Sequence, residues 1–325
     1  MSFVKYCRTL TFTAWLIFLV AAPAVALTLE VPERVARGDA FPVTVMSNTP
    51  LRSVTFRWLG KKHVIAAIPV NVGVNIGAQA RRGGVANRRT QWRASILLPV
   101  PLDCKENGQN LTAGAQPEYA SDMASSAPLV RRVAFYDKKR PVQKLNVDRK
   151  YVNPPAEQTA RIKADREKVR NALSKKMAEH WWSLPLHRPV PDRGVSSQFG
   201  LKRVFNGQPR GVHRGLDLRA PQGETVTACA DGVVVLTDDL YYSGNAVYIN
   251  HGEGVFTAYL HLSRILVREG QRVRRGENVG LVGATGRVTG PHLHLSFIVQ
   301  GESVDPQPFL GAQSPSSGKI HERQN

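Results

Sequence analysis

At 325 residues the chain has room for two domains, taking about 150 residues per domain as a soft guide. A hydrophobic share of 42% is that of ordinary globular protein, which excludes a chain too polar to bury a core. The formal charge of +19 argues for a polyanionic partner (nucleic acid, anionic lipid or an acidic cell wall), and charge alone does not choose among them.

The first residues narrow the choice. Lys5 and Arg8 precede an apolar run, Leu10 to Ala22, that ends in Pro23-Ala24-Val25-Ala26. A basic start, a short apolar stretch and an A-x-A site describe a secretory signal peptide over residues 1–26, cleaved after Ala26. The run is short of the roughly 20 residues that a membrane span needs. Cys7 has no small-residue lipobox before it, so a lipoprotein is not indicated. Removing Lys5 and Arg8 takes two from +19 and leaves +17, so export keeps the basic character. No second apolar run of spanning length follows, so no stable membrane insertion is expected. The expected location is the periplasm, with secretion as the alternative. That compartment holds little nucleic acid, which is therefore not the expected partner; an anionic wall or membrane surface is.

Residues 27–150 read as short strands broken by turns: 27–31, 41–45, 53–59, 96–100 and 129–136 alternate or run apolar. This spacing predicts an antiparallel, Ig-like β-sandwich. Its loops read as basic, at Arg81-Arg82, Arg88-Arg89, Arg131-Arg132 and Lys138-Lys139-Arg140. Arg37-Gly38-Asp39 spells an adhesion tripeptide but reads more simply as a turn, and the sequon Asn110-Leu111-Thr112 carries meaning only in a host that glycosylates.

Residues 151–191 read as a linker. Pro155 opens a helix whose stripe, Ile162, Val169, Leu173, Met177 and Trp181, predicts helix to about His180, and a Pro-rich stretch from Leu184 to Pro191 closes it. His180, beside Trp181-Trp182, reads as structural. Residues 192–311 read as β throughout, with strands at 224–226, 232–236, 246–249 and 255–259. Gly270, Gly276, Gly280, Gly283 and Gly286 are placed at tight turns. A lipoyl-carrier-like barrel would show a lysine at a hairpin tip, and none occurs between Arg203 and Leu310. Residues 312–325 read as a disordered tail. Outside the signal two cysteines remain, Cys104 and Cys229. They lie in different domains, and Cys229 sits in an apolar run that predicts a buried, inert thiol.

Of the chain's nine histidines, His213, His261, His292 and His294 stand out in the second domain's β-like sequence. Residues two or four apart on a strand share a face. If both stretches are strands, His292 and His294 face one way, and His213 and Asp217 can meet them from a neighbouring strand. Imidazole nitrogens with one carboxylate suit zinc, and three protein ligands leave the fourth position for water. By spacing alone either His292 or His294 serves as ligand. His251, in His251-Gly252-Glu253-Gly254 after a strand, reads as a hairpin turn.

His213-Arg214-Gly215-Leu216-Asp217, then Tyr259-Leu260-His261-Leu262-Ser263, then Gly290-Pro291-His292-Leu293-His294, resemble the lysostaphin/LytM-type zinc endopeptidases, which cut peptides of bacterial peptidoglycan. Phe199-Gly200, Arg203, Ala220-Pro221, Asn250-His251-Gly252 and Gly283-Ala284-Thr285-Gly286 extend the resemblance from about Val195 to Leu310. It implies an antiparallel β peptidase domain, with zinc ligands His213, Asp217 and His294, unligated catalytic histidines His261 and His292, and peptidoglycan as substrate. Leu295-Ser296 departs from the family, which often has an aromatic or acidic residue there, and the departure bears on pocket shape. Arg203 is placed either at the groove, holding a substrate carboxylate, or on the surface.

Two rivals are set against the enzyme reading. A non-enzymatic regulator of the same fold would lack part of the zinc set, whereas all five positions are present here. A basic polyanion-binding adaptor explains the charge but not the histidines. A chain without obvious wall-anchoring repeats tilts the cut bond towards one joining D-alanine to a diaminopimelate-type residue rather than a glycine bridge.

Overall fold

In the computed structural model, residues 27–72, 89–119 and 127–311 are described. The signal segment, the tail and the arginines at 81, 82 and 88 lie outside them. No helix among the described residues is long and apolar enough to cross a membrane.

The chain is mostly β, as its patterning leads one to expect. Nine strands come first: β1 (Leu27–Glu30), β2 (Arg34–Ala36), β3 (Ala40–Ser47), β4 (Leu51–Trp58), β5 (Lys61–Ala66), β6 (Ile68–Val72), β7 (Arg89–Pro99), β8 (Gly108–Pro117) and β9 (Leu129–Tyr136). They form two sheets, β1-β3-β7-β6 and β2-β9-β8-β4-β5. Period-two burial along β3 and β4 sends Val43, Val45, Val54 and Phe56 into one shared core. Trp58 lies between Phe41 and Phe135 in edge-to-face contacts at 5.2 and 5.7 Å, and its indole N–H donates to the Pro99 carbonyl at 2.7 Å. The β2–β9 pair is parallel, against the all-antiparallel expectation. The Gly38 turn behaves as read: the Arg37 guanidinium is buried on the Cys104 and Glu106 carbonyls, so the tripeptide is not presented.

Two basic stretches differ from expectation. Arg131 and Arg132 lie within β9 rather than in a loop. Lys138 pairs with Asp39 at 2.7 Å and with Asp305 at 3.5 Å, so this stretch clasps the two halves of the chain together.

Next come β10 (Val142–Leu145), α1 (Arg149–Val152) and α2 (Thr159–Ser174). Helix α2 stops six residues earlier than its apolar spacing predicts. Lys175 is extended, and the chain beyond it bonds to the 250–253 turn instead: the Asn250 amide donates to the Lys175 carbonyl, Glu253 N–H to Met177, and Trp181 N–H to His251. Met177 and Trp181 therefore keep a helical spacing without a helix, because tertiary hydrogen bonds replace the next helical turn.

The remaining strands are β11 (Val195–Ser197), β12 (Lys202–Phe205), β13 (Gln208–Val212), β14 (Leu216–Leu218), β15 (Thr225–Thr227), β16 (Gly232–Leu240), β17 (Gly244–Asn250), β18 (Val255–Ile265), β19 (Arg272–Val273), β20 (Asn278–Val282), β21 (Leu293–Val299) and β22 (Glu302–Val304). A large sheet runs β11-β14-β21-β18-β17-β16-β19, and a small one runs β10-β12-β13. Both faces of the large sheet are covered. Val247, Ile249, Val255 and Tyr259 enter one core; Ala246, Tyr248, Phe256 and Ala258 enter another that α2 closes with Val169, Ala172 and Leu173. Burial on both faces is why these strands read as unbroken apolar runs. Gly280 and Gly283 are not turn residues: Gly280 lies inside β20, and Gly283 bridges His292.

Candidate metal centre

Asp217 on β14 and His294 on β21 are direct cross-strand partners, which settles the central pair by register. His213 lies just before β14 rather than on it, four residues from Asp217. Gly215 lets the chain pass the His294 ring: a Cβ there would run into the imidazole and lie 2.8 Å from the Leu295 carbonyl. Overpacking typically costs about 1–3 kcal/mol. Gly215→Ala is therefore expected to displace His294 and weaken divalent-metal uptake about 10- to 100-fold in equilibrium dialysis; unchanged uptake would show that the ring is not confined.

The three side chains converge. His213 Nε2 is 3.0 Å from Asp217 Oδ1, His294 Nδ1 is 2.8 Å from the same oxygen, and the two nitrogens are 3.1 Å apart. The opposite edge of each ring is already engaged. His213 Nδ1 donates to the Gln198 carbonyl at 2.7 Å, which leaves Nε2 unprotonated. Ser296 Oγ donates to the Arg214 carbonyl at 3.3 Å and so accepts from His294 Nε2 at 3.0 Å, leaving Nδ1 unprotonated. Three acceptor atoms thus face one another at hydrogen-bond distance with no proton between them, an arrangement that a cation relieves. All three residues are buried. Outer partners that fix the tautomer of each imidazole are the usual company of metal ligands.

His261 and His292 stand beside this group. His292 Nδ1 donates to the Gly290 carbonyl at 2.8 Å, and its Nε2 is 3.7 Å from Asp217 Oδ1. His261 Nδ1 donates to the Thr285 carbonyl at 2.9 Å, and its ring centre is 5.2 Å from that of His292. His261 sits in a β-bulge: Leu260 and His261 together face Ala246, and His261 has φ of 65°, in the left-handed region that side chains rarely adopt. A bulge of this kind turns a side chain out of the strand's alternation, and here it turns His261 towards the cluster.

Electrostatics set the protonation states that ligation requires. Burial alone would raise the Asp217 carboxyl, but the His213 and His294 rings against it hold it well below the carboxylate range. Burial pushes His294 down to about 4 against the pull of Asp217. Burial, then the neighbouring His294 and His292, holds His261 well below the ordinary imidazole value. Asp217 is thus held ionised, and His294 and His261 are held neutral.

Several partners escaped the sequence. Arg203 donates to Asp217 Oδ2 at 2.6 Å and to Ser197 Oγ at 3.0 Å, so it holds neither a substrate carboxylate nor a surface position. Ser197 also meets His213 Nδ1 at 3.2 Å and donates to Gln143 Oε1 at 2.9 Å, which ties β10 to the site. Ser296, where the chain departs from the family pattern, steadies His294. Only Thr285 and Arg203 lay in stretches with a readable signal. His251 is structural, its ring buried between the Asp231 carbonyl at 2.6 Å and Thr257 Oγ1 at 2.8 Å. Cys104 and Cys229 are both free, and burial pushes the Cys229 thiol up to about 12.

Residues 211–306 match the profile of Peptidase family M23. Peptidoglycan DD-endopeptidase ShyC of Vibrio cholerae is 44% identical over 140 residues, 42% of this chain and 32% of that one. Peptidoglycan DD-endopeptidase ShyA of the same organism is 49% identical over 112 residues, 34% of this chain and 26% of that one. The matched region therefore spans about a third or less of these curated relatives. A crystal structure from Pseudomonas aeruginosa assigned to peptidase M23 superposes with a TM-score of 0.56 at 26% identity, covering 86% of this chain and 96% of that one. That overlap is too long to be confined to the C-terminal sheet. By profile and by fold, residues 211–306 of this chain are a Peptidase family M23 domain.

Proposed function

We propose that this chain is a zinc-dependent endopeptidase that hydrolyses peptide cross-links of bacterial peptidoglycan in cell-wall remodelling. The observation that carries the reading is the convergence of three unprotonated, buried ligand atoms beside two further imidazoles. The relatives' names supply the substrate class. His213, Asp217 and His294 would hold the zinc, and nitrogen and oxygen donors without cysteine suit a catalytic rather than a structural site. Bound zinc lowers the pKa of a water from 15.7 to about 7 and polarises a carbonyl. His261 and His292, each anchored through Nδ1 to a backbone carbonyl, stand beside the centre, so one would take the proton of the attacking water and the leaving amine nitrogen would receive one back. Arg203 and Ser197 keep Asp217 and His213 in position.

The peptidoglycan substrate places the protein outside the cytoplasm, and the signal-like start favours the periplasm. We divide the chain into an Ig-like domain (27–150), a connector (151–191) and the peptidase domain (192–311). The bond cut is the one from D-alanine to a diaminopimelate-type residue. Purified sacculi treated with the zinc-loaded protein should release muropeptides with that bond opened, as read by mass spectrometry, and a chelator should stop the release. Sacculi that bind the protein but stay uncut would instead indicate a regulator of another hydrolase.

The N-terminal region restrains the groove. Support comes from its last segment: β10 pairs in parallel with β12, Asn206 bonds both the N–H and the carbonyl of Val147, and Tyr241 Oη donates to the Lys150 carbonyl at 2.7 Å. Asn206 has φ of 49°, so Asn206→Gly keeps the turn while deleting both side-chain bonds. Two such bonds are worth about 1–3 kcal/mol, enough to speed cleavage of a soluble muropeptide up to about tenfold or more. An unchanged rate, with sacculus binding that weakens when exposed basic residues of the sandwich are replaced, would point to wall docking instead.

A further inference from the structure

Arg203 and Arg287 both lie over Phe205 at the edge of the metal centre, Arg210 neighbours Arg287, and of these three guanidinium groups two are spoken for. Arg203 is bound to Asp217 and Ser197. Arg210 donates to Asn153 Oδ1 at 2.8 Å and also to Gln208. Arg287 is different. Its guanidinium lies 4.7 Å above the Phe205 ring and 4.7 Å from the Tyr242 ring, clamped between an aromatic face at the end of β12 and one in the β16–β17 turn. Among the described residues its guanidinium has neither a hydrogen bond nor an ion pair. Burial, then the neighbouring cations Arg203 and Arg210, disfavours its charge, and Tyr242 is the group that favours it. The fork is half-buried and its nitrogens stay open to solvent, so the two rings hold a planar five-donor group at a set orientation where an incoming anion can meet it.

Its position says which anion. The Arg287 N–H donates to the Tyr242 carbonyl at 2.9 Å, and the next carbonyl, Ser243, accepts from His261 N–H at 2.9 Å. Two residues before Arg287, the Thr285 carbonyl holds His261 Nδ1. Arg287 is thus fastened to the same two loops that aim His261, beside where the scissile bond must lie. A cavity of about 260 Å³ borders the adjoining Gly286, and the cations on its wall, Lys150 and Arg161, are already paired with Asp148 and Asp239.

We propose that Arg287 is a specificity residue that receives a free carboxylate carried by the substrate peptide next to the bond that is cut. The inference rests on the endopeptidase reading above and adds to it a selection for acidic over amidated peptide. A carboxylate matches the guanidinium fork in a bidentate way, whereas a primary amide offers one acceptor and no charge.

The test uses the full zinc-loaded chain and two synthetic cross-linked muropeptides that differ only at the diamino-acid carboxyl, one free and one amidated. The unaltered protein is expected to prefer the free acid by about 10- to 100-fold in kcat/KM, the range of a charge-assisted hydrogen bond. Arg287→Gln should erase the preference by losing rate on the acid alone. Arg287→Lys should keep part of it, with zinc content and melting temperature close to those of the unaltered chain in both variants. No preference in the unaltered protein, or a preference that survives in Arg287→Gln, overturns the inference while leaving the endopeptidase reading intact. If neither peptide is cut, calorimetric binding of both decides. Tighter binding of the acid that needs Arg287 retains the carboxylate site and removes the endopeptidase reading; equal binding removes the carboxylate site.

Discussion

Asp217→Asn should empty the metal centre and take almost all turnover with it. The substitution preserves shape, but the amide brings no charge to the point where His213 Nε2 and His294 Nδ1 meet. The Lewis-acid contribution is worth several kcal/mol, so cleavage of a soluble muropeptide should fall on the order of 10³–10⁴-fold or further. A second consequence follows from Arg203, whose Nη2 lies 2.6 Å from the lost charge. Removing one member of a buried ion pair leaves the other uncompensated, typically at a cost of about 3–5 kcal/mol. Melting should therefore drop by several degrees, yet a folded chain should remain, because the sandwich core does not touch this pair. Zinc per chain, melting temperature and rate are measured on one preparation. A variant that keeps full zinc and full activity would sink the ligand assignment.

How far the sequence could be read depended on what each residue answers to. β17 and β18 are legible because both faces of the sheet are buried, so Ala246–Ile249 and Val255–Leu260 read as apolar runs broken only at Thr257. β8 is not: Gly108, Ala113 and Gly114 have weak strand preference, and the strand exists because β4 and β9 pair with it on either side. Arg89–Arg93 of β7 are likewise held as strand by β6, joined by β3 only at Trp92 and Arg93, rather than by their own pattern. The helix end was misjudged because Met177 and Trp181 continue a spacing whose hydrogen bonds go elsewhere. At the metal centre, five residues announced themselves by rare types at fixed intervals. Ser197, Gln143 and Ser296 did not, since a lone polar residue carries no period and acquires a role only from the ring opposite it. Arg203 was visible, but its partner was not, because a salt bridge across 14 residues of loop and strand depends on tertiary placement.

His261 and His292, the two histidines outside the proposed ligand set, make the sharpest separation of metal holding from proton handling. His292→Ala and a His261 variant should each retain zinc and lose about 10²–10⁴-fold in turnover, the usual size of a general acid–base contribution. The choice of substitution at His261 matters. With φ of 65°, alanine there would add backbone strain to the loss of the ring, whereas asparagine tolerates the left-handed region and isolates the missing imidazole. His261→Asn is therefore the cleaner variant. His292 carries its own alternative, because its Nε2 lies 3.7 Å from Asp217 Oδ1 against 2.8 Å for His294 Nδ1. The shorter contact favours His294 as ligand, and so does its place opposite Asp217 in the strand register. If His292→Ala instead emptied the centre while His294→Ala kept zinc, the two would exchange roles. If both variants keep zinc and full turnover, the proton must move by another route, and the Nε2 atoms that face the cluster would be spectators.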